Sequence, residues 1–178
     1  MQIEEARYFT VLLACGFRYD FIKWVEENAK KTDADDIVVI LSEIYTDTDC
    51  VISELERFIG EQKPDEVLVC SLLRGFISDR YKNGKMNVND AMEALKSFVQ
   101  FVGMMYQAPW DAPSRLCDWY GMVVDGYKDY NAFLDAFHTY FEKGEVPDAF
   151  EIWNSPASEE KITFWDRLFS RHKKERGE

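Results

Sequence analysis

His138 is one of two histidines in the chain, and its neighbours are the kind a proton or a metal ion would use. Asn131, Asp135 and Glu142 stand at i−7, i−3 and i+4 from it, so a helix would bring all four to one side. A histidine between two carboxylates can act as a base or supply a metal ligand. A tight metal site needs three or four ligands converging from several elements, and no second histidine lies nearby. His138, Asp135 and Glu142 are therefore expected on a solvated helical face with local ion pairing, and no cofactor is expected.

Two acidic runs, Asp33-Asp35-Asp36 and Asp47-Asp49, look like pieces of a calcium loop. Both lack the glycine of the sharp turn and the closing bidentate glutamate. Each precedes an apolar periodic segment, so helix capping is the expected role. No serine sits in a GxSxG elbow. Cys15, Cys50, Cys70 and Cys117 form no CxxC pair and are expected as reduced thiols, and a cytoplasmic location is expected. Leu12-Leu13-Ala14-Cys15 has the small-residue pattern that precedes a lipoprotein cysteine. Glu4 and Glu5 lie where positive charge should be, so an ordinary first helix is expected.

The most unusual stretch is 109–130, where Trp110, Trp119, Tyr120, Tyr127 and Tyr130 alternate with Asp111, Asp118, Asp125 and Asp129. The acids cannot all be buried, so part of this mixture is surface. Aromatic anchors ringed by carboxylates suit a basic protein partner, because aromatics give desolvated contact and charges steer the approach. Trp110, Asp111, Asp118, Asp125, Tyr127 and Asp129 are the expected partner-binding residues. Trp119 falls in line with Leu116 and Val123 and is expected in the core.

Charge limits the partner class. The formal net charge is −12. Residues 1–60 carry 13 acids and 6 bases, 61–110 carry 6 of each, 111–160 carry 11 and 3, and 161–178 carry 3 and 6. Nucleic acid and anionic membrane need clustered Lys and Arg, so neither is an expected general partner. No uncharged apolar run approaches the ~20 residues of a membrane span. A chain of 178 residues is long enough to bury a core without disulfide or metal.

The elements that must position these residues read as helices. Ile3 to Cys15 is a helix stopped at Gly16; Asp20 caps a second helix ending in Lys30-Lys31; Thr48 or Asp49 caps another that ends at Gly60; and Pro64-Asp65-Glu66 opens a helix to Tyr81. Asn87 to Tyr106 (NVNDAMEALKSFVQFVGMMY) carries a continuous apolar stripe, becomes apolar nearly all round in its second half, and is expected to run through the middle of the fold. Pro113-Ser114 opens a helix broken at Gly126, and Asp129 to Lys143 is an amphipathic helix with Gly144 past its end. Ile37–Leu41 and Val67–Cys70 are β-branched enough for strands, but the 37–45 pattern runs on past strand length, which favours helix.

The expected fold is all-α, a single-domain bundle of about seven to nine helices. DDIVVILSE and DEVLVCSLL, one near residue 35 and one near residue 65, leave stacked helical hairpins as a variant. An α/β fold with strands near 37–42 and 66–72 is the alternative. Residues 1–154 are expected as the acidic domain, and 155–178 as a linker and basic amphipathic helix packed on it. The leading functional expectation is a non-catalytic binding module that occludes a basic protein. In kind, though by no motif, it resembles the small acidic helical immunity proteins with which bacteria block toxin domains. A carboxylate hydrolase, with or without a divalent metal, in a cleft lined by the aromatic stretch is one alternative. A helical-repeat scaffold subunit is another.

Overall fold

The computed structural model describes residues 1–31 and 36–155. Among them lie nine α-helices and no strand: α1 (Ile3–Ala14), α2 (Arg18–Asn28), α3 (Ile37–Ile44), α4 (Thr48–Ile59), α5 (Glu66–Lys82), α6 (Val88–Val102), α7 (Asp111–Val124), α8 (Tyr130–Lys143) and α9 (Ala149–Asn154), with a 3-10 turn at Ala29–Lys31. The all-α expectation holds, and both contested runs are helical. The expected linker from residue 156 on, the basic C-terminal helix, Asp33 and Asp35 lie outside the described residues.

Contacts divide the chain into two compact units, Met1–Trp110 and Asp111–Glu178. The centre of the first is α1. Ala6, Phe9, Thr10, Val11, Leu12 and Leu13 are all buried, so its second half is enclosed on most sides, and it packs against α2, α4, α5 and α6. The buried Thr10 hydroxyl donates to the Ala6 carbonyl, which satisfies it without a partner outside the helix. This corrects the central role expected of 87–106. α6 buries Ala91, Met92, Ala94, Leu95, Phe98 and Val99, then stops at Gly103, whose left-handed φ of 72° ends the helix. Phe101, Met105 and Tyr106 are exposed, so the apolar end is not enclosed.

Asparagine and aspartate caps set most of the helix starts. Asp36, Asp47, Asp65, Asn87, Asp129 and Asp148 each accept a backbone N–H of the helix they precede. Asp47 caps α4, one residue before the expected Thr48 or Asp49. Hydrogen bonds from Cys50, first its backbone N–H, hold the Asp47 carboxyl below its usual range. Asp20 does not cap α2, which begins earlier at Arg18; it lies in the first turn and pairs with Arg80 of α5.

In the second unit, α7 and α8 pack against each other. Phe133 is the hub. Its ring lies 6.2 Å from Trp119, 5.2 Å from Tyr120 and 6.1 Å from Phe137, and Phe137 lies 4.7 Å from Phe141. These spacings are those of favourable tilted and edge-on aromatic pairs. Trp119 is buried, as its alignment with Leu116 and Val123 predicts.

Candidate functional site

The division between the two units falls inside the 109–130 stretch. Trp110 is 1% exposed and belongs to the first unit. Its indole Nε1–H donates to Glu66 Oε2 at 3.0 Å, while Glu66 Oε1 lies 3.6 Å from Arg7 Nε. Arg7 in turn sits 5.8 Å from the centre of the Phe101 ring. Trp110 is thus the buried end of a polar chain and not an exposed anchor, which corrects its expected place on a binding surface. A tryptophan flanked by Asp111 and prolines looks like surface in sequence. Nothing local announces a glutamate 44 residues away that satisfies its N–H.

The remaining expected binding residues belong to the second unit. Asp111 opens α7 and pairs with Arg115 at 3.0 Å. Asp129 caps α8 by accepting from Asn131 and Ala132, at 2.9 Å each. Both carboxylates therefore have local structural work. Asp118 lies exposed on α7, and Asp125 and Tyr127 are exposed in the turn between α7 and α8.

A second exposed aromatic joins them. Lys128 reaches from the same turn to the end of α9, where its ammonium donates to the carbonyls of Trp153 and Ser155. This tie anchors the backbone at the end of α9 to the Lys128 side chain. Tyr127 is 70% exposed and Trp153 73%. Arg115 adds another tie by donating to the Pro147 carbonyl at 2.8 Å, which fixes the chain leading into α9. Sequence reasoning passed over Trp153 because α9 is only six residues long. Its signal was Asp148 followed three residues later by Glu151. That pair forms a capping box, and with Ile152 buried the next residue is turned outward.

The set is acidic. Residues 111–155 hold nine carboxylates against Arg115, Lys128 and Lys143, and two of these cations, Arg115 and Lys128, donate to backbone carbonyls around α9. Exposed carboxylates and exposed rings in one unit are the chemistry that suits a cation-rich surface.

His138, Asp135 and Glu142 are all exposed on α8. Among the described residues no group of three or more His, Cys, Asp or Glu is placed to hold a metal ion. All four cysteines are thiols. Burial pushes the Cys15 thiol up to about 11, so it stays protonated and unreactive near neutral pH. No helix among the described residues is long and apolar enough to cross a membrane. A cavity of about 440 Å³ opens in the first unit, and no acid of the 109–130 stretch lines it. Comparison with protein-family models, with curated proteins and with solved structures finds no match.

Proposed function

We propose that this chain is a non-catalytic protein-binding module whose second unit engages a basic protein partner, in the manner of an inhibitor that covers its target's surface. The observation that carries this reading is the exposure of Tyr127 (70%) and Trp153 (73%), with the Trp153 carbonyl tied to Lys128 next to Tyr127, in a segment of nine acids and three bases. Large exposed aromatics are costly to leave in water and are enriched where partners dock. Asp118 and Asp125 supply the charge that would speed encounter with lysine- and arginine-rich surfaces. Trp153 replaces Trp110 as the second aromatic anchor.

The test is capture from the native source with the full chain, run beside a Tyr127→Ala/Trp153→Ala double variant. Retained protein from each is identified by mass spectrometry. A basic protein held by the parent chain and lost by the folded variant supports the proposal. A captured protein that is acidic, or that the folded variant holds equally well, refutes it.

A further inference from the structure

The cavity lies among α1, α2 and α5 of the first unit, which is not the unit that carries the proposed partner surface. Its floor is preorganised. Arg80 pairs with Asp20, and its guanidinium lies 4.7 Å from the centre of the Phe76 ring. That stacking and pairing fix a side chain that would otherwise be flexible.

Around this fixed pair stand groups with hydrogen-bonding capacity to spare. Burial, reinforced by the negative charge of Asp20, pushes the Tyr8 phenol up to about 12, so it stays a neutral hydroxyl donor. Asp79 and Lys85 are both exposed, and among the described residues neither makes an ion pair. Asn83 donates to the Asp79 carbonyl at 2.7 Å, which leaves its own carbonyl oxygen for a ligand. One wall is apolar: Leu72 is 38% exposed, and a Cβ added at Gly75 would meet nothing within 4 Å. The lining holds Asp20 and Asp79 against Arg80 and Lys85, so its charges balance. A lone anion would meet Asp79, and a lone cation would meet Lys85 and Arg80. A ligand carrying both charges satisfies both ends.

We propose that this cavity binds a small zwitterion with an apolar side group, of the chemical type of a free aromatic α-amino acid. The ammonium is held by Asp79, and the carboxylate by Lys85 with the Tyr8 hydroxyl. The side group lies on Leu72 and in the open space over Gly75. A volume of about 440 Å³ accommodates such a molecule.

Titrating the full chain, labelled with nitrogen-15, with L-phenylalanine, N-acetyl-L-phenylalanine and phenethylamine tests this. The amide signals of residues 71–85 are followed. L-Phenylalanine should give saturable shifts there. The acetylated compound lacks the ammonium and phenethylamine lacks the carboxylate, so each should bind roughly tenfold more weakly or worse. Gly75→Leu fills the open space with a better helix former and should abolish binding while the chain stays folded. Asp79→Asn and Lys85→Gln, both at exposed positions, should each weaken it. The proposal is overturned by the absence of saturable shifts. It is equally overturned by equal binding of all three compounds, or by unchanged affinity in folded Gly75→Leu. Should Gly75→Leu fail to fold, unchanged affinity in both Asp79→Asn and Lys85→Gln overturns it.

Discussion

The two units use the same residue types in opposite ways. Residues 1–110 carry nineteen acids and twelve bases, and many of those acids are committed locally: Asp36, Asp47 and Asp65 to caps, Asp20 and Glu66 to arginines of other helices, and Glu54 to Arg57. Phe9 packs against Phe21 and Trp24, and Phe17 against Phe76 and Phe98, while Tyr19, Phe101 and Tyr106 are exposed in a unit whose charges balance after residue 60. Residues 111–155 carry nine acids against only three bases, a three-to-one excess where residues 1–110 have nineteen to twelve. There the aromatic core is built around Phe133, and Tyr127 and Trp153 stand in solvent among an excess of acids. The difference lies in charge and in how each ring is used: Trp110 is buried with its indole N–H bonded to Glu66, whereas Trp153 is 73% exposed in the acid-rich unit.

The largest expected effect follows from that pair. Trp110→Ala removes a fully buried ring and its hydrogen bond to Glu66, so urea unfolding should show a loss of roughly 3–5 kcal/mol. Trp153→Ala should stay within about 0.5 kcal/mol of the parent chain, as exposed substitutions do. Comparable losses at both positions would erase the contrast.

Binding should invert that order. Once a partner is captured, Tyr127→Ala or Trp153→Ala should cost about 2 kcal/mol of affinity or more, mainly through faster dissociation.

A smaller effect separates acids with local work from acids without it. Asp129→Ala removes the α8 cap and should lower stability by about 1 kcal/mol, whereas Asp125→Ala should leave it nearly unchanged. Thermal unfolding of the two variants decides this.

The smallest effect is chemical. The Cys15 thiol is raised to about 11, so its thiolate is scarce at neutral pH and grows as pH climbs toward that value. Iodoacetamide labelling followed by peptide mass spectrometry should show Cys15 nearly inert near neutrality and reactive only in strong alkali. Rapid neutral labelling of a folded chain would contradict this.

Much of the fold was legible because helices write their own periodicity. Ile37, Ile40, Leu41, Ile44 and Tyr45 repeat past the length of a strand, and α3 is a helix. Gly103 was present to be read as a stop, but the apolar residues after it disguised the end of α6. The sites were less legible, because they depend on distance in sequence. The Trp110–Glu66 bond joins a loop to the start of α5, and Tyr8, Asp20 and Arg80 meet from three different helices. No local spacing encodes such meetings. Trp153 was hidden for the opposite reason, since six residues give too little periodicity to show which face is buried.

The salt dependence of association tests the account most directly. The rate at which the captured partner binds the parent chain is measured over a range of ionic strength, beside an Asp118→Asn/Asp125→Asn double variant. Exposed carboxylates that steer a basic partner predict a rate that falls steeply with salt in the parent chain. The folded variant should associate more slowly and show a flatter dependence. Identical rates and identical salt dependence for the two chains would contradict the proposed role of the second unit.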